Sequence, residues 1–227
     1  FPVGRRVVRH LAFGGDKPIP YLELPDAENP FLGNRGIRRS LGADSDLFET
    51  QLRALLRAAA AGDGTLSVMF PLVATLDELT AALDAVERVA RDLDTEGIEY
   101  ATPELGVMIE TPAAIFMAEA FADKVDFLSI GTNDLAQYVM AADRENEAVA
   151  DLHDPQQPAV LRAIKRAVEA AHDNDAWIGM CGEMAGDPKL TELLVGLGLD
   201  ELSMSAVTVP AVKANITKID RSEAVSR

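Results

Sequence analysis

The stretch VDFLSIGTNDLAQYVMAADREN (125–146) runs from an apolar segment through a polar turn into a segment of helical spacing. Residues 125–131 have strand length and turn-like flanks, as in a strand covered on both faces. Asn133 and Asp134 then fall on a loop, followed by Gln137, Tyr138 and Arg144. A polar group at such a place is either an outward turn or the rim of a site, and the rest of the chain decides between them.

The same layout recurs. Apolar runs at 5–13, 66–73, 105–110, 176–182 and 200–205 read as further strands, with longer segments of helical spacing between them. The clearest helix carries Leu79, Leu83, Val86, Ala90 and Leu93 on one face. Thr75 and Glu78 form a capping-box pattern at its start, and Gly97 suits its end. Thr111-Pro112 and Gln157-Pro158 place proline at a first helical position, where a missing N–H costs nothing. Strands alternating with helices imply a parallel sheet.

Polar residues gather after each strand: Arg9, Gly14 to Lys17, Glu110, Asn133-Asp134, Cys181-Gly182-Glu183, and Ser203 with Ser205. Chemistry offered from many strand ends points to a (β/α)₈ TIM-type barrel, whose loops share one mouth, over an open doubly wound sheet. The expectation is a single barrel domain over residues 1–227, with about six strands present and the first one or two β/α units upstream. The abrupt opening, FPVGRRVVRH, reads as a cut, and it lacks a signal-peptide layout.

Composition narrows the partners. The chain has 227 residues, 48% hydrophobic and 5% aromatic, enough to bury a sizeable core. No apolar run reaches the roughly 18 residues of a membrane span. Cys181 is the one cysteine, so no internal disulfide framework exists and a reducing cytoplasm is expected. A net charge of −16, from 37 acids against 21 bases, repels nucleic acid and anionic membrane. With 20 Asp and 6 Lys, the surface also suits a concentrated-salt cytoplasm, although an ordinary acidic domain reads the same way.

Glu110 and Asp134 each follow an apolar strand. Two carboxylates at neighbouring strand ends can share a Mg²⁺ that keeps its other positions for water and substrate, or can simply serve the helices that follow as caps or dipole partners. Arg9, Arg35 and Arg144 offer forks that match phosphate or carboxylate, against the alternative of surface pairing. Gly14, Gly15 and Gly33 permit close backbone approach to a ligand. Cys181 faces either the mouth or the interior; taken alone, free cysteine favours burial. His10, His153 and His172 form no triad or ligand spacing, and His10 should point away from Arg9.

Five blocks carry a resemblance: GGDKPIPYLELPDAENPFLGNRGIR (14–38), GVMIETPAA (106–114), DFLSIGTNDLAQYVMAADREN (126–146), GMCGEMAGDP (179–188) and LDELSMSA (199–206). In order and spacing they closely resemble the Enzyme I family of the phosphoenolpyruvate:sugar phosphotransferase system, in its C-terminal phosphoenolpyruvate-binding barrel. The resemblance runs through nearly the whole chain. Pyruvate phosphate dikinase and phosphoenolpyruvate synthase share the barrel, but the third and fourth blocks look more like Enzyme I.

The resemblance implies that Glu110 and Asp134 ligate Mg²⁺. It implies that Arg9, Arg35 and Arg144, with Asn133, hold the phosphate and carboxylate of phosphoenolpyruvate, and that Cys181 protonates the enolate as pyruvate forms. A free thiol, ordinarily titrating near about 8.5, is protonated at neutral pH and suits that step. Asn34 stands where the family usually has Trp, and His10 and Ala12 stand in its usual Arg-Thr-x-Asp. Neither the family's RTEF-like segment nor its TSH-like phosphohistidine segment is present. The implied acceptor histidine lies on a separate swivelling domain, the implied partner is a histidine-containing phosphocarrier protein, and a homodimer is implied. The alternatives are a dikinase or synthase relative, and a non-catalytic module that senses phosphoenolpyruvate or mediates dimerisation.

Overall fold

The computed structural model describes residues 4–11 and 27–220. The chain divides into two compact units, residues 1–107 and 108–227. In the first, β1 (Arg6–Arg9) is followed by α1 (Ile37–Ser40), α2 (Ser45–Ala61), β2 (Leu66–Phe70) and α3 (Leu76–Glu96), and β3 (Glu104–Ile109) carries the chain onward. β1 pairs with β2 and β2 with β3, both parallel, so the chain returns over a helix between strands.

Local chemistry explains where these elements start and stop. The Thr75 hydroxyl accepts the Glu78 N–H at 3.1 Å while the Glu78 carboxylate accepts the Thr75 N–H at 3.1 Å, so the capping box forms as expected. Gly97 ends α3 as a left-handed cap. The buried face of α3 is Leu79, Ala82, Ala85, Val86, Val89 and Leu93; Leu83 and Ala90 lie at its margins, a shift from the stripe expected. In β2 four consecutive residues, Ser67 to Phe70, are buried, as in a parallel-sheet strand covered on both faces. His10 continues past β1 into the core, where its ring meets Phe48 edge-on at 4.5 Å, while Arg9 is exposed.

The second unit contains α4 (Pro112–Phe116), α5 (Ala118–Ala122), β4 (Phe127–Gly131), α6 (Thr132–Met140), α7 (Pro158–His172), β5 (Trp177–Cys181), α8 (Thr191–Leu197), β6 (Glu201–Leu202) and α9 (Val209–Ile216). β4 pairs with β5 and β5 with β6, again parallel. All five residues of β4 are buried, and Phe127 stacks on Trp177 at 4.3 Å across the ladder. α7 covers this sheet with Val160, Ile164, Ala167, Val168 and Ala171, spaced as one helical face demands. Pro112 and Pro158 both occupy the first helical turn, as their sequence context predicts.

The strands are shorter than the apolar runs. β6 spans two residues of the six expected at 200–205, and β2 stops at Phe70, with Leu72 turning at φ 57°. Among the described residues there are six strands, which matches the number expected. No helix among them is long and apolar enough to cross a membrane.

Candidate functional site

The C-terminal ends of β3, β4 and β5 position most of the expected residues. Glu110 directly follows β3, Asn133 and Asp134 lie in the first turn of α6 just after β4, and Cys181 closes β5. Gly131 and Cys181 are register partners, and the Thr132 hydroxyl donates to the Cys181 carbonyl at 3.2 Å. The ends of β4 and β5 are therefore tied by a side chain as well as by the ladder.

Glycine makes the close approach possible at two points. A Cβ on Gly131 would stand 3.0 Å from both Cβ and Oε2 of Glu110, so the glutamate rests against the backbone three residues before Asp134. Gly182 takes φ 103°, a conformation that side chains rarely adopt, and any Cβ there would strike the Thr132 hydroxyl. Beside these residues opens a cleft of about 570 Å³, lined in part by Asn133, Gly182, Glu183, Ser203, Ser205 and Thr208.

The alternative roles as N-caps do not hold. Thr111 caps α4, its hydroxyl accepting the Ala114 N–H at 3.1 Å, so Glu110 is not the cap. Gly131 occupies the N-cap of α6; Asp134 sits in the first turn and does lie near the positive end of that helix. Both acids are largely withdrawn from water, Glu110 being 3% exposed and Asp134 6%. Burying a carboxylate is costly without compensation, and for Asp134 the compensation includes Arg144, whose Nη1 donates to Oδ1 at 3.0 Å. Arg144 thus pairs with an acid of the candidate site itself.

Three supporting residues were given no role by the sequence. Gln137 is buried and its Oε1 accepts the Arg144 backbone N–H at 3.0 Å. Its position three residues after Asp134, on the same helical face, was the available signal. His153 places Nε2 at 2.8 Å from the Asn133 carbonyl, which can only accept, so that nitrogen carries the proton. No pattern pointed to His153, since it returns from twenty positions further along the chain. Thr132 is the third, through its bond to Cys181.

Cys181 is half-buried, where the residue type alone favoured full burial. His172 pairs with Asp200 at 2.9 Å, just before the N-terminal end of β6 and so not at the C-terminal strand ends. Arg9 and Arg35 belong to the first unit: Arg9 at the exposed C-terminal end of β1, Arg35 4% exposed with its guanidinium 5.5 Å from the Phe31 ring centre. Gly14 to Lys17 lie outside the described residues.

For a hard cation, Glu110 and Asp134 are the suitable donors. Among the described residues no group of three or more His, Cys, Asp or Glu side chains is disposed to hold a metal. An ion such as Mg²⁺ commonly takes one or two protein carboxylates and keeps its other positions for water and substrate oxygens.

The sequence profile of a family described as PEP-utilising enzyme, PEP-binding domain, matches residues 3–221. The chain belongs to this family. A curated relative of this PEP-binding domain, the phosphoenolpyruvate-protein phosphotransferase of Haloferax volcanii, is 68% identical over 225 residues, covering 99% of this chain and 40% of the relative. That of Listeria monocytogenes serovar 1/2a is 52% identical over 220 residues, covering 96% and 38%. The resemblance read from the five sequence blocks is thereby borne out. The chain spans about two-fifths of the length of these relatives, by the coverage of 40% and 38%. A solved citrate lyase from Burkholderia xenovorans LB400 has a similar fold, with a TM-score of 0.56 at 20% identity over 76% of this chain and 54% of its own. At that identity the likeness concerns fold alone.

Proposed function

We propose that this chain is the substrate-binding part of a phosphoenolpyruvate-protein phosphotransferase, taking phosphoenolpyruvate with Mg²⁺ and supporting phosphoryl transfer to a histidine on another domain. The observation that carries this is the convergence of Glu110, Asn133, Asp134 and Cys181 on successive strand ends, with Arg144 drawn onto Asp134. Family membership over residues 3–221 supports phosphoenolpyruvate as the substrate. The proposal includes completion of the site by Arg9 and Arg35, on the strength of their sequence blocks, and a (β/α)₈ barrel as the full domain. A histidine-containing phosphocarrier as downstream partner and a homodimer belong to it as well.

Glu110 and Asp134 would hold Mg²⁺, which when bound supplies neutralisation of phosphate charge. Asn133 would orient the substrate, and the arginines would hold its phosphate and carboxylate through paired hydrogen bonds. In the transfer, the bond from phosphorus to the enol oxygen breaks as a bond to the acceptor histidine nitrogen forms, leaving the enolate of pyruvate. The Cys181 thiol gives its proton to the methylene carbon, and the thiolate regains one from solvent. A neutral donor suits this position because no positive charge is added beside the metal.

Calorimetry with phosphoenolpyruvate and Mg²⁺ tests binding, and pyruvate release in the presence of the acceptor tests turnover. Cys181→Ala should bind substrate as the wild type does and stall pyruvate release by about 10²-fold or more, the usual contribution of a proton donor. Normal turnover in that variant would overturn the role of Cys181. Absence of binding to the wild type would overturn the site.

A further inference from the structure

We infer that Arg144 is an exchangeable clamp: it occupies Asp134 when the site is empty and is released to an anion when a divalent cation takes Asp134. The inference rests on the phosphoenolpyruvate and metal reading above. Its basis is the direct bond from Arg144 Nη1 to Asp134 Oδ1 at 3.0 Å, between side chains only 16% and 7% exposed. The residue assigned to the anion and a residue assigned to the metal therefore hold each other in this structure.

The backbone around Arg144 is held by contacts that do not use the guanidinium. Ala141 caps α6, and its left-handed φ of 51° turns the chain back along the helix. The Ala142 N–H donates to the Gln137 carbonyl at 3.1 Å, and the Arg144 N–H donates to the Gln137 side chain at 3.0 Å. Both anchors come from Gln137 and neither uses the guanidinium. Gln137 is thus a positioning residue, and the Arg144 side chain can rotate its fork from carboxylate to ligand while its backbone stays in place.

Charge sets the direction of the exchange. A dication at Asp134 competes for the carboxylate and repels the guanidinium, while an anion draws the guanidinium away. Each ligand binding alone must break the pair, and the two together satisfy both halves of it. Their affinities are therefore coupled, by the same factor in either order.

The experiment is Mn²⁺ titration, read by electron paramagnetic resonance or calorimetry, on wild type, Arg144→Met, Arg144→Lys and Asp134→Asn, each with and without phosphoenolpyruvate. Without substrate, Arg144→Met should bind Mn²⁺ about 10-fold more tightly than wild type, within the usual span of about 5–150-fold for coupled sites. Arg144→Lys, which keeps charge but loses the planar fork, should fall between them and serves if the methionine variant does not fold. Asp134→Asn should bind no Mn²⁺. Equal Mn²⁺ affinity in wild type and both Arg144 variants would show Arg144 to be a bystander and would overturn the exchange while leaving the site standing. Absence of Mn²⁺ binding in every protein, with or without substrate, would overturn the site reading and the exchange together.

Discussion

Replacing Gly131 with alanine tests whether Glu110 rests on the end of β4. The added Cβ would lie 3.0 Å from Glu110 Cβ, 3.0 Å from Glu110 Oε2 and 3.1 Å from Met108 Sδ. Carbon contacts are comfortable at about 3.5–4.0 Å, so three atoms are overlapped by several tenths of an ångström. The sulfur and the carboxylate oxygen can rotate away, but Glu110 Cβ is fixed to its backbone, and main chain must shift. Gly131 has φ −95°, an ordinary value, so backbone strain adds nothing. Overpacking costs about 1–3 kcal/mol, offset by about 0.4–1 kcal/mol from a stiffer unfolded chain, for a net loss on the order of 1–2 kcal/mol. For a protein of this size that lowers the thermal midpoint by about 2–8 °C. Because the displaced atom belongs to a candidate metal ligand, Mn²⁺ affinity should fall as well. Scanning calorimetry and Mn²⁺ titration read the two effects. A variant with the wild-type midpoint and wild-type Mn²⁺ affinity would refute the placement of Glu110 against Gly131.

Two further outcomes concern stability. His10 is 1% exposed, and burial, aided by the charge of Arg9, lowers its pKa from 6.5 to about 4. The unfolded chain takes up this proton first, so stability present above pH 6.5 is lost as pH falls toward about 4, by about 3 kcal/mol in total. Urea unfolding between pH 7 and 4.5 should show this slope reduced in His10→Leu; an unchanged slope would remove His10 as its source. The excess of 37 acids over 21 bases should make the fold more stable in molar KCl than in dilute buffer, since salt screens the mutual repulsion. Equal thermal midpoints in the two solutions would defeat the high-salt reading.

What was legible in the sequence shares a short range. The Thr75–Glu78 box, the prolines at 112 and 158 and the glycine cap at 97 depend on groups within a few residues, and the structure forms each of them. The strands were legible because both faces of a parallel sheet are covered, which makes their apolar runs continuous. Their ends were less so: β6 keeps two residues because pairing, not composition, sets a strand's length. The buried stripe of α3 also shifted, since the packing partners decide which side of a wide apolar face is covered.

The sequence by itself determined which residues stand at the strand ends, because alternation of strand and helix places Glu110, Asn133, Asp134 and Cys181 there. Tertiary structure alone decided how they are used. Arg144 meets Asp134 because Ala141 turns the chain and Gln137 anchors it; His153 reaches Asn133 from twenty residues away; Thr132 ties Cys181 across the ladder. Spacing in the chain sets what a residue can offer, whereas the partner of a buried charge follows from where folding returns distant chain, which no local pattern encodes.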